Sequence, residues 1–466
     1  MKKSVLAVLG LLVAALALVA AGCGGDDNGG GAVPEGTPTA LPSSSCGPIE
    51  FEGDGDPQLL IASDLPLQGS SRTQALQIQD AIRYTLKQND WKAGDFNVGY
   101  QACDDATAQA AKWDPGKCSA NANSYAANDH VTGVIGTYNS GCAAIMIPVL
   151  NQASNGGIAM LSPANTAVCL TTTAGSCSAT EPDQYYPSGT RNYARVVAHD
   201  AFQGAAMAEF MQSQGVKSLY ILNDKETYGL GIAVNLRDSA ESLGIKIAGF
   251  EAWDGKAASY EAIFQKVGQT DADAVFLGGL IDENGAQVIK DKVAVLGPND
   301  GKVALYAPDG FATQTTIDEA DSASANMWMS VAGTPIDAYS GTAQEFVAGF
   351  SDQFLDADTP IDPYAIFGGQ AAVVMLDAIA ASDGSRASVL EQLFATEVTD
   401  GYLGTFTIDE NGDPAPPVEG TIVQFTIYKA TDKLDTEEVI TPEQTTVDAA
   451  LQPTSSDSTD TETTTG

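Results

Sequence analysis

The sequence predicts an α/β fold made of two doubly wound lobes, each a mostly parallel sheet covered by helices. Short apolar runs alternate with helical stretches of ten or more residues, which is typical of βαβ units. The alternation runs through one cycle and restarts near Phe202, so two lobes are expected. In such sheets the crossovers are right-handed and ligands bind at the carboxyl ends of the strands.

The first cycle opens on the apolar run Leu59–Ala62, which a Gly/Ser turn separates from a helix near Thr73–Lys87. Ile78, Ile82 and Leu86 recur every fourth residue there, the spacing of one helical face. The later elements of this cycle are strands at Asn97–Ala102, Val131–Ile135 and Ile158–Leu161, and helices at Ser119–Asn128 and Ile145–Gln152.

The second cycle has the same character. Its predicted helices are Phe202–Gln214, Ile232–Leu243 and Tyr260–Val267, and its strands are Leu219–Leu222, Ile245–Phe250, Val275–Leu277 and Val303–Tyr306. Further on, the acidic stretch Ile408–Asp413 contains Asn411-Gly412. This stretch is too short for an EF-hand calcium loop, and Asn-Gly favours a hairpin turn.

Charge excludes several classes of function. The 466 residues include 60 Asp and Glu against 22 Lys and Arg, a formal net charge of −38. A nucleic-acid binder needs basic surface to meet phosphates, so no nucleic-acid partner is expected. Docking on an anionic membrane through basic patches is disfavoured for the same reason.

The N-terminus has the pattern of an export signal. Lys2 and Lys3 precede an apolar stretch, Val5–Gly22, which is short for a transmembrane anchor, the alternative interpretation. Ala20-Ala21-Gly22-Cys23 resembles a bacterial lipoprotein cleavage site, so residues 1–22 are predicted to be a signal peptide. Cys23 would then carry the lipid, which predicts an extracytoplasmic protein whose only membrane contact is this anchor.

Both ends of the mature chain have compositions that favour disorder. Residues 23–55 are predicted to be a flexible linker, because most of this stretch is Gly, Pro, Ser, Thr and acidic residues. Residues 435–466 are predicted to be a disordered acidic tail for the same reason.

Six cysteines remain after Cys23, and an even number in an exported chain favours disulfides. Six allow fifteen pairings. Cys169 and Cys177 bracket a short loop and are expected to pair. Pairings among Cys103, Cys118 and Cys142 are favoured, with Cys46 taking the remaining partner. No C-x-x-C occurs, so a metal cluster is the weaker alternative and no metal is expected.

Motifs for catalysis are lacking in the sequence. It contains no phosphate loop, no G-x-S-x-G nucleophile elbow and no H-E-x-x-H zinc motif. Gly229-Leu230-Gly231 opens a predicted helix but lacks the third glycine of a dinucleotide fingerprint. The two histidines, His130 and His199, are interpreted as structural. The sequence therefore predicts a protein that is not an enzyme and uses no cofactor.

Eight segments occur in a fixed order between Asp56 and Tyr428. They are LLIASDLPLQGSSRTQALQIQDAI, VGYQACDDATAQ, VTGVIGTYNSGCAAIMIPVLNQ, IAMLSPANT, LYILNDKETYGLGIAVNLRDS, AVFLGGL, YAPDGF and GTFTIDENGD. Together they resemble type I periplasmic solute-binding proteins, in particular the leucine/isoleucine/valine-binding branch. The resemblance implies two Rossmann-like lobes joined by three crossing segments, a Venus flytrap that closes on one ligand without chemistry.

The resemblance also implies domain boundaries. Residues 56–196 with 335–402 are expected to form the first lobe, and residues 197–334 with 403–430 the second.

A free amino acid carries a carboxylate and an ammonium, and a closing cleft must supply partners for both. Ser140, after a strand and before a helix, suits the carboxylate, and the resemblance implies that Ala164 and Thr166 hold it too. It implies that Asp309 pairs with the ammonium and that Tyr228 closes over the ligand. Each residue alone could instead be a helix cap, a turn residue or a packing residue.

Two further residues are candidates for the pocket wall. Leu280 stands where the branched-chain branch has an aromatic residue, and Tyr364 precedes a predicted helix. Asp309 is also shorter than the glutamate often found there, so the ligand need not be leucine.

The resulting hypothesis is a lipid-anchored, monomeric solute-binding receptor that delivers an amino acid, branched-chain or related, to the permease of an ABC importer. A sensory protein with the same cleft, for amides or other small amino compounds, is one alternative. An amidase-like hydrolase is the other.

Overall fold

The computed structural model describes residues 33–357, 359–415 and 421–452. The predicted signal peptide, residues 1–22, and the predicted lipidation site Cys23 lie outside the described residues, as do residues 453–466 of the predicted tail.

Strands and helices alternate along most of the described chain. The first part of the chain forms β1 Leu59–Leu65, α1 Arg72–Gln88, β2 Lys92–Ala93, β3 Phe96–Asp104, β4 Ala106–Thr107, β5 Lys112–Trp113, α2 Pro115–Ala127, β6 Val131–Gly136, α3 Ser140–Asn151, β7 Ala159–Ser162 and β8 Tyr193–Arg195. The middle part forms α4 Asp200–Ser213, β9 Ser218–Asn223, α5 Thr227–Ser242, β10 Lys246–Ala252, α6 Glu261–Val267, β11 Ala274–Gly278, α7 Gly285–Leu296, β12 Ala304–Ala307, α8 Gln314–Ala320 and β13 Trp328–Ala332. The last part forms α9 Thr342–Phe354, α10 Pro363–Ala381, α11 Arg386–Phe394, β14 Glu397–Gly401, β15 Gly404–Ile408, β16 Pro414–Ala415, β17 Phe425–Ala430, β18 Leu434–Ile440 and α12 Gln444–Leu451.

Two sheets carry the fold, as predicted. The first has the order β2-β3-β1-β6-β7-β8, with parallel pairing from β3 to β8. The second has the order β10-β9-β11-β12-β13-β17-β18, parallel up to β13 and antiparallel from there. Every residue of β1 is buried, as expected for a parallel strand covered by helices on both faces. The α/β, two-lobed fold predicted from the sequence is confirmed.

Helix starts follow local rules that the sequence makes visible. Asp114 caps α2 by accepting from the Lys117 N–H at 2.9 Å, and Pro115 occupies the first helical turn. Asp362 caps α10 in the same way, accepting from the Tyr364 N–H at 2.8 Å. This second cap fixes the position of Tyr364.

The chain passes between the lobes after β8, after β13 and between β16 and β17. Helices α9 to α11 return to the first lobe, where α10 packs along α1. The predicted boundary between residues 402 and 403 is wrong, because it cuts the β14–β15 hairpin, in which Val398 pairs with Phe406. Gln370 of α10 and Arg195 of β8 also hold this hairpin region to the first lobe, so the second lobe resumes at β17.

The predicted flexible linker is also wrong for residues 33–55. Leu41 and Cys46 are buried, and Glu50 exchanges two backbone hydrogen bonds with Tyr100 of β3 at 2.8 and 2.9 Å. Composition reports what a segment can bury by itself, whereas this segment is fixed by pairing with β3 and by a disulfide to it.

The predicted disordered tail begins too early. Residues 434–440 form the edge strand β18 on β17, and residues 444–451 form α12. Val447 and Ala450 are buried against Ala201 and Ala205 of α4. The exposed face of an edge strand and of a surface helix is polar, so average composition conceals the few apolar residues that order this segment.

The disulfides agree with the expected pattern. Cys169 bonds Cys177, Cys118 bonds Cys142 to join α2 to α3, and Cys46 takes Cys103. The expected Cys169–Cys177 bridge is therefore confirmed, and so is a bridge within the group Cys103, Cys118 and Cys142 with Cys46 on the remaining cysteine, although the sequence left open which two of the three would pair.

Helix α10 is long and apolar enough to cross a membrane by length and composition alone. Its apolar surface is mostly buried, however, and it packs against α1 and the strands of the first lobe. It is a core helix of that lobe.

Candidate ligand-binding site

A small cavity lies between the lobes, where strands of both sheets end. The first lobe contributes Tyr138, Asn139, Ser140, Ala164 and Thr166, and the second contributes Tyr228, Leu280, Asp309 and Gly310. Six of the seven residues singled out from the sequence line this one cavity.

The end formed by the first lobe offers hydrogen-bond donors. Helix α3 begins at Ser140, so its N-terminus, with a partial positive charge, faces the cavity. The Ser140 hydroxyl also accepts from the Ala167 N–H at 3.3 Å, which links α3 to the loop after β7. A carboxylate or another anionic group is the natural occupant of this end.

The loop after β7 is held in place from beneath. Arg195 donates from Nη1 to the carbonyls of Asn165 and Ala167 at 3.1 and 2.9 Å, and from Nε to Asp413 at 2.6 Å. Burial alone would raise the pKa of Asp413, but the guanidinium of Arg195 holds it below its usual value. This buried ion pair fixes the backbone of Ala164 and Thr166, a role that sequence reasoning missed.

The end formed by the second lobe is acidic. The carboxylate of Asp309 accepts from the hydroxyl of Tyr228 and, at 2.6 Å, from the hydroxyl of Tyr364. Burial, followed by the Asp309 charge, raises the pKa values of both phenols well above the usual range, so both remain donors. Tyr364 does not line the cavity itself; it reaches Asp309 from the first lobe and helps to position it.

Asp200 is a second buried acid beside the cavity, and sequence reasoning missed it. Its backbone N–H donates to the Thr166 carbonyl at 2.8 Å, which places it at the start of α4 directly after the first crossing. Burial raises the pKa of its carboxyl to about 8, with Asp309 adding to the shift. Among the described residues, neither carboxyl oxygen of Asp200 has a hydrogen-bond partner within 3.5 Å. The Thr166 hydroxyl lies farther away and lowers the pKa of Asp200 only in part.

The sequence shows that Asp200 stands at the start of a helix but does not show that it is buried beside the cavity. An aspartate at the first position of a helix is a common dipole partner, so its sequence context favours a surface role. Tyr138 and Asn139 were also missed, although they lie between the end of β6 and Ser140, where the strand-end rule applies.

Two groups of metal-ligating side chains exist in the described part of the chain: Asp105 with Cys118 and Cys142, and Glu181 with Cys169 and Cys177. In each group the two cysteines are bonded to one another, which leaves a single carboxylate. Neither group offers the ligands that a tightly bound metal requires.

Comparison with known proteins agrees with this geometry. A family model described as "Periplasmic binding protein" matches residues 66–426. The Leu/Ile/Val-binding protein homolog 1 of Brucella abortus is 25% identical over 376 residues, covering 79% of this chain and 91% of the relative.

Two solved structures show the likeness of fold. The branched-chain amino acid transporter substrate-binding protein from Streptococcus pneumoniae, in complex with isoleucine, has a TM-score of 0.67 at 16% identity, covering 82% of this chain and 99% of that one. An ABC transporter solute-binding protein from R. palustris, in complex with benzoate, has a TM-score of 0.65 at 17% identity, covering 82% and 96%.

Proposed function

Because this chain belongs to the periplasmic binding protein family, we propose that it is the solute-binding receptor of an ABC importer and that its ligand is an amino acid. The family is extracytoplasmic, and the three disulfides agree with an oxidising compartment. Relatives named for leucine, isoleucine and valine binding support the choice of ligand class.

The observation that carries the proposal is the polarity of the cavity. One end presents the N-terminus of α3 with Ser140, and the other presents the carboxylate of Asp309. No Lys or Arg lines the cavity among the described residues. A zwitterion matches both ends, because its carboxylate meets donors and its ammonium meets acids.

The acidic end of the cavity disfavours a second ligand class, the benzoates. Benzoate is bound by a structural relative, and Tyr138 and Tyr228 would offer aromatic walls to such a ligand. Asp309 and Asp200, however, would then face a ligand with no positive charge. Two buried acids without a cationic partner favour a ligand that has an ammonium.

Binding consists of closure, without a chemical step. The lobes close about the crossing segments, the ligand loses its water, and the closed form is the one that the permease recognises. The ligand ammonium then supplies the cation that the buried carboxylate of Asp309 lacks among the residues lining the cavity.

The test is a thermal-shift screen of the twenty amino acids, their amides, polyamines, benzoate and 4-hydroxybenzoate. A ligand at about 100 times its Kd stabilises the folded state by about 2.7 kcal/mol. We expect stabilisation by one or a few apolar amino acids, confirmed by calorimetry. Stabilisation by benzoates alone would replace the proposed ligand class, and hydrolysis of a bound amide would favour the enzyme alternative.

We also propose that Cys23 anchors the protein to the membrane through a lipid. Ala20-Ala21-Gly22-Cys23 supports this, and the packing of residues 33–55 on β3 begins only some twenty residues later. Mass spectrometry of detergent-extracted protein should find diacylglycerol on an N-terminal Cys23. An intact Met1 would contradict it.

The partner and the oligomeric state are part of the same proposal. A permease and an ATPase encoded beside this chain would support import, whereas a neighbouring signalling protein would favour the sensory alternative. Light scattering is expected to detect a monomer.

A further inference from the structure

The loop that follows β11, residues 279–284, is the element from which a further role can be inferred. The Leu280 N–H donates to the Asp224 carboxylate at 3.0 Å, and the Ile281 N–H donates to the Gly310 carbonyl at 3.1 Å. The Glu283 carbonyl accepts from the Trp253 indole at 2.8 Å. The loop is therefore fixed to the body of the second lobe, and it moves as part of that lobe.

The side chains of this loop make contacts in two directions. Leu280 lines the ligand cavity, whereas Asp282 and Glu283 reach residues of the first lobe. One rigid segment thus contacts both the ligand cavity and the opposite lobe.

Asp282 caps a helix of the other lobe. Its Oδ1 accepts from the backbone N–H groups of Ser70 and Ser71 at 2.9 and 3.1 Å, and its Oδ2 accepts from the Ser71 hydroxyl. These residues lead into α1, whose own cap position makes no side-chain capping bond. The carboxylate therefore satisfies N–H groups at a helix N-terminus, where its negative charge is favoured.

Glu283 contributes to a second contact, with Lys112 of the β4–β5 hairpin. The Lys112 ammonium pairs with Glu283 and, at 3.1 Å, with Glu226. The side chains of Lys112 and Glu283 are 26% and 10% exposed, so this cluster is better shielded from water than an ordinary surface pair. Glu226 immediately precedes α5, the helix that carries Tyr228 into the cavity.

We propose that Asp282 and the Lys112–Glu283–Glu226 cluster form a latch that holds the closed form, so that these residues outside the cavity set ligand affinity and release rate. The inference rests on the proposed function. All of its contacts join one lobe to the other, so opening the cleft breaks them together. Because a ligand that binds only the closed form is weakened by any loss of closed population, removing the latch reduces affinity without touching the ligand.

The experiment compares Lys112→Gln and Asp282→Asn with two controls, Lys246→Gln and Asp271→Asn. Lys246 and Asp271 form an exposed ion pair within the second lobe, so the control variants remove the same charges at a pair that does not join the lobes. Each protein is titrated with the tightest-binding amino acid of the screen, its dissociation rate is measured by stopped flow, and its ligand-free melting temperature is recorded.

We expect each latch variant to lose about tenfold in affinity, mostly through faster dissociation, and the controls to match the wild type. Ligand-free melting should change little, since each lobe keeps its own core. Wild-type affinity and dissociation rate in both latch variants would overturn the latch and leave the proposed function standing.

A wild-type protein that binds no amino acid would overturn the proposed function instead. The latch is then tested without a ligand, by measuring the radius of gyration of the Lys112→Gln/Asp282→Asn double variant with small-angle X-ray scattering. A larger radius of gyration than that of the wild type supports the latch, and an equal radius overturns it.

Discussion

Tyr364 of the first lobe donates its hydroxyl proton to Asp309 of the second at 2.6 Å, so a hydrogen bond crosses the cleft beside the ligand cavity. Asp309 is 7% exposed and accepts from the hydroxyl of Tyr228 as well. The acid proposed to hold the ligand ammonium is thus oriented by one phenol from each lobe. Asp309 therefore contacts both lobes without a ligand.

Replacing Tyr364 by Phe should weaken binding moderately. The variant keeps the ring packing against Tyr138 but removes one donor from a buried carboxylate. A hydrogen bond to a charged group is worth about 1.5–3 kcal/mol. The affinity for the ligand should therefore fall by roughly ten- to 150-fold. Calorimetric titration measures it. Tyr402→Phe, a matched change at a tyrosine on the β14–β15 turn, should bind as the wild type does.

Affinity should rise with pH because of Asp200. In the ligand-free protein burial raises the pKa of this carboxyl to about 8, so it is mostly protonated at pH 6. An ammonium placed beside it favours the carboxylate, so binding releases a proton and strengthens from pH 6 towards pH 8. Titrations in buffers of different ionisation enthalpy measure the proton released. Asp200→Asn should abolish the pH dependence, and an unchanged dependence would mean that another group titrates.

A buried acid pair beneath the Cys118–Cys142 disulfide should make stability depend on pH. Burial raises the pKa of Asp64 to about 6, and burial together with the charge of Asp64 raises the pKa of Asp105 well above its usual value. Tyr125 and Asn121 donate to Asp64, which favours the charge there and the proton on Asp105.

Because both folded-state pKa values exceed the ordinary value of 3.8, the folded protein binds more protons than the unfolded chain. The free energy of unfolding should therefore fall as the pH rises from about 4 through 6 and beyond. Asp105→Asn should flatten that slope by up to about 1.4 kcal/mol per pH unit. Denaturant unfolding at several pH values tests this, with the exposed Asp54→Asn as the control. An unchanged slope in Asp105→Asn would contradict the placement of the proton on Asp105.

Removing the Cys46–Cys103 bridge should test the order assigned to residues 33–55. The bridge closes a loop with a sequence separation of 57, for which the chain-entropy model gives about 4 kcal/mol. Cys46→Ala/Cys103→Ala should lower the melting temperature and make residues 33–50 sensitive to protease. A variant that melts like the wild type would mean that this segment contributes little to stability.

The fold and most of the cavity could be predicted from the sequence because those features follow from local patterns. Apolar periodicity located the central strands, the position of Ser140 after a strand and before a helix selected that residue, and the family resemblance implied Thr166 and Asp309. The features that were missed depend on partners distant in the chain. Residues 434–452 are ordered by β17 and α4, which no local composition reveals.

Residues that act across the cleft were also beyond local patterns. Lys112 lies 114 and 171 positions from the two glutamates that it joins. Asp200 resembles an ordinary helix-start aspartate until its burial beside Thr166 is known. Such roles are set by how the lobes meet rather than by the sequence near each residue.

Calorimetric titration of the wild type and Asp309→Asn with the tightest-binding amino acid measures whether this buried acid holds the ligand ammonium. Asparagine keeps the size of the side chain and removes its charge. Truncating one partner of a desolvated pair costs about 2–5 kcal/mol, so affinity should fall by roughly 30- to 5000-fold. The ligand-free melting temperature should be retained. Equal affinity in the two proteins would mean that Asp309 does not hold the ammonium.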